Sequence, residues 1–262
     1  MPVTRFDGCR LDLKFALRWS AFGPVEQRVN QPRLSFTMNM NSAGPMILSV
    51  HIPKTAGVSI RNFLKEHYGA GFVLSYWQVT DAFGRVLPEV PSSAACVHGH
   101  FVADHLADRF PDATLVTWVR EPVDRVVSSY YHRLRDPDWQ NSVCRKVHEE
   151  KLGLVEFAEL PEMRNEMAHF MGRKQPADFD FIGIMEDFDF SLEIFCEQFG
   201  LPAKPARLDN CNPWHPVGQP YELPAAIRAR IFQLNEVDAE IYAECLDLAK
   251  RDHYRQPAQL SG

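Results

Sequence analysis

The sequence predicts an α/β fold in three layers, with a mostly parallel central sheet flanked by helices. Two observations predict it. Four short apolar runs, MILSVHI (46–52), AACVHGH (94–100), TLVTWV (114–119) and FDFIGIM (179–185), carry almost no charge. They suit strands buried on both faces. Each is followed by a stretch of helical periodicity, and strand alternating with helix implies parallel pairing through crossover helices. Sheets of this kind bind ligands at the carboxyl ends of their strands.

Taken in order, the first run enters PKTAG (53–57) and then a helix. Val58, Ile60, Phe63 and Leu64 share its apolar side, with Arg61, Lys65 and Glu66 more exposed. The second run ends in a polar loop and a helix near residues 101–109. Pro111 and Asp112 turn the chain into the strongly β-prone third run. Pro122 suits the first turn of the helix that continues through 124–134. The fourth run leads to a helix closed by Gly200. One last helical pattern spans about 224–249. Residues 1–45 show no clear period and read as an N-terminal extension, leaving 46–262 as the domain.

Composition excludes several classes. The six cysteines are scattered without a CxxC pair, so zinc ribbons and thioredoxin-like redox sites have no support. Residues 11–22 are interrupted by Asp12, Lys14 and Arg18, which is not the apolar core of a signal peptide. No run approaches the roughly 18 apolar residues of a membrane span. A reduced, cytoplasmic protein with no transmembrane segment is expected. The net charge of −6 argues against a nucleic-acid partner, which calls for a broad basic surface. One basic cluster, Arg133, Arg135, Arg145 and Lys146, reads as a solvated helix face.

Two segments carry chemistry. In HIPKTAGVS (51–59) a strand breaks into a short loop and a helix, which aims backbone N–H groups and the positive end of the helix at one point. Lys54 adds a full charge, Thr55 and Ser59 add hydroxyls, and Gly57 permits close backbone approach to a phosphate. The glycine spacing is not that of the GxxxxGK[ST] loop. The plainer alternative is a helix start capped by Thr55. In VREPVDRVVSSYY (119–131) Arg120 ends a strand, and Ser128 lies eight positions on, two helical turns away. A guanidinium and a hydroxyl converging there suit a second phosphate. The alternative pairs Arg120 with Glu121 or Asp124 and leaves Ser128 as a packing residue.

Together these motifs resemble those of the PAPS-dependent sulfotransferases, with the flavour of the carbohydrate branch close to the heparan and uronyl 2-O-sulfotransferases. Likeness extends to HGHF (98–101), to FIGIMEDFDFSLEIFCEQFGLP (181–202) and to NEVDAEIYAECL (235–246). The resemblance implies a P-loop-like fold and in-line sulfuryl transfer from PAPS (3′-phosphoadenosine 5′-phosphosulfate) to a hydroxyl, with adenosine 3′,5′-bisphosphate (PAP) leaving. It implies that Lys54 neutralises the bridging oxygen, that Lys54, Thr55, Ala56, Gly57, Val58 and Ser59 hold the 5′-phosphosulfate, and that Arg120 and Ser128 hold the 3′-phosphate. No metal is required. The acidic overall charge leans the acceptor towards a neutral glycan, a glycolipid or a small hydroxylated metabolite over a heavily sulfated polymer, with a tyrosine in a peptide the alternative.

For the base, His100 matches the catalytic histidine of the 2-O branch, and His98 is placed to orient it. Imidazole suits the task because its ordinary pKa lies near neutrality. Other branches use a glutamate after the lysine loop, but Glu66 falls on the far helical side. His98, His100 and His105 also have spacing for a metal, with no carboxylate or cysteine beside them. Asn165, Glu166 and His169 share helical spacing that suits either the acceptor cleft or packing. The irregular stretch 208–221, with Asn210, Asn212, Trp214 and His215, is long for a connector and is expected to close over PAPS. Trp77 and Trp139 are candidates for sugar stacking. A small-metabolite kinase would need a Walker loop and a metal-binding aspartate, and neither is found; a PAPS-binding protein without catalysis would need no base.

Overall fold

Strands β1 (Ile47–Val50), β2 (Phe72–Leu74), β3 (Cys96–Gly99), β4 (Thr114–Val119) and β5 (Phe181–Ile184) form one parallel sheet, ordered β2-β3-β1-β4-β5. The structure, a computed structural model, describes residues 45–75, 90–202 and 218–254, with side chains to 251. The predicted α/β architecture is therefore present, and every strand pair in this sheet is parallel. All four expected strands form. β2 is additional: three partly exposed residues at the sheet edge, too short to show a period.

Because β1, β3, β4 and β5 are buried along most of their length, alternate residues feed two cores. Ile47, Val116, Trp118 and Phe181 face α1 (Gly57–Tyr68) and α7 (Phe188–Phe199) through Ile60, Phe63, Leu64, Leu192 and Phe195. Leu48, Val50, Leu115 and Ile182 face α2 (Ala103–Ala107), α6 (Glu166–Met171) and α9 (Glu236–Tyr254). A third cluster joins α3 (Pro122–Arg135), α4 (Ser142–Glu149), α5 (Leu154–Ala158) and α8 (Ala225–Leu234). Pro122 opens α3, and Gly200 closes α7 in the left-handed conformation at φ 64°.

The single last helix predicted over 224–249 is instead two, broken at the buried Asn235. Its Nδ2 donates back to the Ile231 carbonyl at 3.0 Å, while its own carbonyl starts α9 by accepting from Ala239 N. Asparagine side chains compete with the helix in this way. Its Oδ1 also accepts from Asn165 N, and Asp238 caps α6 by accepting from Met167 N and Ala168 N at 3.0 and 2.9 Å. The break thus locks α6 to α9. Among the described residues no helix is long and apolar enough to cross a membrane.

Candidate active site

Register alone gathers most of the expected residues at the carboxyl edge. Val50 of β1 lies beside Gly99 of β3 and Thr117 of β4. His51 and His100, the next residues on β1 and β3, therefore emerge side by side, while β4 runs two residues further, to Val119, before Arg120.

The turn after β1 takes an uncommon backbone path. Lys54 and Ala56 adopt left-handed φ values of 70° and 68°, which side-chain-bearing residues avoid at a cost of about 1–3 kcal/mol. Turns built this way concentrate N–H groups into an anion-binding concavity. Thr55 does not cap the helix. Its buried hydroxyl donates to the Ile52 carbonyl at 2.8 Å and ties the turn to the strand end. α1 begins at Gly57 with no side-chain cap and no acidic residue in its first turn, so its leading N–H groups and positive end face the turn uncompensated. Val58 is half-buried and Ser59 buried in that first turn. Gly57 has a reason of its own. A Cβ there would lie 1.8 Å from Nε2 and 1.9 Å from Cδ2 of His51, so glycine admits an imidazole against the helix start.

Charge converges on this turn. The Lys54 amine is pushed down to about 8, first by burial and then by the positive fields of Arg120, Arg135 and Arg133. Arg120 is buried, with Nη1 donating to the Lys54 carbonyl at 3.4 Å and its guanidinium 5.8 Å from the Tyr221 ring. Its neighbouring acids are engaged by other groups. Glu121 caps α3 by accepting from Val123 N and Asp124 N, and Arg228 meets Asp124 at 2.9 Å and Glu121 at 3.5 Å. Burial, then the Asp124 charge, raises Glu121 to about 7. Asp124 also accepts from Tyr221 N, and Arg228 donates to Tyr221 O, so both sides of that backbone are held. Ser128 is buried on α3.

Three imidazoles line the neighbouring strand ends. His51 stacks on His100 at 4.2 Å and on His98 at 5.1 Å between ring centroids. His100 Nδ1 is 2.6 Å from the His51 carbonyl. A carbonyl only accepts, so Nδ1 carries the proton and Nε2 is the basic nitrogen. Burial lowers His100 to about 4 and His98 to about 3, and lowers His51 well below its ordinary value; all three are neutral at pH 7. The expectation that His98 orients His100 changes here. His98 pairs with Ser49 through Nδ1 at 2.9 Å, and the hydrogen bond that fixes His100 comes from the His51 backbone.

Other expected residues divide. Arg145 and Lys146 are exposed. Arg133, by contrast, folds over the Phe157 ring at 5.5 Å and bonds Ser129; it and Arg135 contribute to the field on Lys54. Glu166 pairs with the fully buried Arg125, and Asn165 bonds Asn235 and Asp238, so both serve packing. His169 is exposed, with its ring edge-on to Phe170. Glu66 is exposed on α1. Trp139 is 56% exposed beside His148. Trp77 and residues 208–217 lie outside the described residues, as does the 1–45 extension apart from Pro45. Among the described residues no group of three or more His, Cys, Asp or Glu side chains is arranged to hold a metal. Sequence reasoning missed the His51 side chain and Arg228, of which only His51, inside the first motif, left a local signal; Tyr221 ends the irregular 208–221 stretch that the sequence singles out.

The sheet order, with crossovers on both faces, places the protein among the doubly wound α/β proteins. More particularly, the chain belongs to the sulfotransferase family, whose model matches residues 40–243. Among solved structures it is similar to mouse sulfotransferase SULT7A1 complexed with PAP, at 12% identity and a TM-score of 0.39, over 62% of this chain and 61% of that one. It is also similar to a sulfotransferase from Alicyclobacillus acidocaldarius, at 16% identity and a TM-score of 0.40, over 77% and 96% of the two chains. The match thus spans less than two thirds of the mouse protein. No curated protein matches the sequence significantly.

Proposed function

We propose that the protein transfers the sulfuryl group of PAPS to a hydroxyl, with His100 as base. The observation that carries this reading is the 2.6 Å contact between His100 Nδ1 and the His51 carbonyl. It leaves the basic Nε2 on a neutral ring, at the strand edge from which the Lys54 turn and Arg120 also emerge.

The donor set suits a 3′,5′-substituted nucleotide. The left-handed turn at 54–56 and the uncapped start of α1 would hold the 5′-phosphosulfate, with Lys54, Thr55, Ala56, Gly57, Val58 and Ser59 contributing. Arg120 and Ser128 would hold the 3′-phosphate. The acceptor hydroxyl gives its proton to His100 Nε2 as its oxygen bonds sulfur. The bond from sulfur to the bridging oxygen breaks, and the Lys54 ammonium takes up the charge left on PAP. Positioning and charge supply the catalysis, and no metal takes part. The acceptor is a glycan, a glycolipid or a small hydroxylated metabolite. Support for a sugar is the likeness of the 51–59 and 119–131 motifs to the uronyl 2-O-sulfotransferases.

The test is transfer of radiolabelled sulfate from PAPS to a panel of sugars, glycolipids and small alcohols. Wild-type protein should label one class, and Lys54→Ala and His100→Ala should each lose that labelling. Undiminished labelling by Lys54→Ala would overturn the mechanism.

A further inference from the structure

We infer that His51 is a positioning residue that couples the start of the phosphate-binding helix to the orientation of His100. This rests on the reading of His100 as the base.

Three contacts meet on this one residue. Its backbone carbonyl accepts the Nδ1 proton of His100 at 2.6 Å. Its ring lies nearly parallel to that of His100, with 4.2 Å between centroids and 23° between planes. Its other neighbour is the backbone of Gly57, so close that a Cβ at that position would fall within 1.8–2.4 Å of Nε2, Cδ2 and Cε1. The residue is 7% exposed and its ring also stacks on His98. It therefore has little room to yield. A shift at the first residue of α1 reaches His100 through a single rigid ring, because close-packed interiors transmit displacement.

This explains Gly57 without invoking its conformational freedom. Its φ lies outside the left-handed range, so an alanine would be acceptable to the backbone and is excluded by the imidazole, which supplies the three nearest atoms. A conventional glycine argument, close approach to a phosphate, predicts that Gly57→Ala harms binding whatever stands at position 51. The coupling predicts the opposite.

The experiment is a double-mutant cycle on full-length protein, read in two ways. Calorimetry measures PAP affinity, and long-range 1H–15N spectra of 15N-histidine protein report the His100 tautomer and titration. Gly57→Ala should weaken PAP by at least about tenfold through overpacking and should disturb the His100 Nδ1–H signature. His51→Ala/Gly57→Ala should regain most of the lost affinity, because the clash is removed. His51→Ala alone keeps the carbonyl acceptor but removes the ring stacked on His100, so the Nδ1–H signal should broaden and the His100 titration should rise toward the ordinary imidazole range. His51→Phe, which keeps a ring, should leave both as in wild type.

The inference fails if the double variant binds PAP as poorly as Gly57→Ala, or if His100 keeps its wild-type signature in His51→Ala and Gly57→Ala. Should His51→Ala not fold, Gly57→Ala and His51→Phe decide the matter by the His100 signature. Failure of wild-type protein to bind PAP would instead sink the sulfuryl-transfer reading, while the spectra would still decide the coupling.

Discussion

His100 Nδ1 lies 2.6 Å from the carbonyl oxygen of His51. That contact assigns the ring's proton to one nitrogen and its basicity to the other, and it joins the ends of two adjacent parallel strands. His100→Ala should lower sulfuryl transfer by about 10²–10⁴-fold while PAP affinity changes little. Comparable losses in affinity and turnover would place His100 in the nucleotide site instead.

The pH dependence follows from burial. His100 is held down at about 4, so its basic form persists well below the usual imidazole range. Lys54 is held down at about 8, so its charge fades above that. The profile of kcat/KM, which reports the free protein, should show an acid limb near 4, a plateau through neutrality and an alkaline limb near 8. An acid limb near 6.5 would mean that His100 is solvated.

Lys54 also predicts proton uptake. Phosphate groups beside the amine favour its charged form, so ligand binding raises the lowered pKa. At pH 8, where about half of the free protein carries a neutral Lys54, PAP should bind with uptake of about half a proton. At pH 6 uptake by Lys54 should vanish. Titrations in buffers of different ionisation enthalpy measure this directly, and Lys54→Met should abolish the pH 8 component.

Tyr221 gives a prediction at a distance. Asp124 accepts from its N–H and Arg228 donates to its carbonyl at 2.7 Å, while its ring faces the Arg120 guanidinium. Arg228→Ala should weaken PAP by about tenfold, the scale of one charge-assisted hydrogen bond. Tyr221→Ala should do the same. The double variant should be little worse than either, and full additivity would show that Arg228 acts by another route.

Stability should respond elsewhere. Arg125 is fully buried, paired with Glu166, bonded to the Met163 carbonyl at 3.3 Å and 3.8 Å from Asp238. Removing a partner of such a group costs up to about 3–5 kcal/mol, the full value applying only where no second carboxylate such as Glu166 remains. Asp238→Ala also uncaps α6. It should lower the unfolding free energy read from urea melts by up to that amount while leaving PAP affinity within about twofold.

Much of this was legible because buried parallel strands and phosphate turns write themselves locally. Four uncharged runs marked β1, β3, β4 and β5, and HIPKTAGVS and VREPVDRVVSSYY lay where strands give way to helices. What was not legible depends on contacts distant in sequence. β2 is a three-residue edge strand defined by pairing with β3. The break at Asn235 combines a local bond to the Ile231 carbonyl with a partner 70 residues away, Asn165, and that second half is not written locally. Arg133 looks solvated on a helical wheel, yet α5 supplies the Phe157 ring beneath it. The need for glycine at 57 is likewise spatial, since the ring that excludes a Cβ belongs to the preceding strand end.

The most direct test of the account is calorimetric titration of the purified protein with PAP, 5′-AMP and ATP. Tight binding of PAP, with much weaker binding of the other two, is the predicted result, because in the proposed site only PAP would engage both the Lys54 turn and the Arg120–Ser128 pair. Equal affinity for all three, or no binding of PAP, would contradict it.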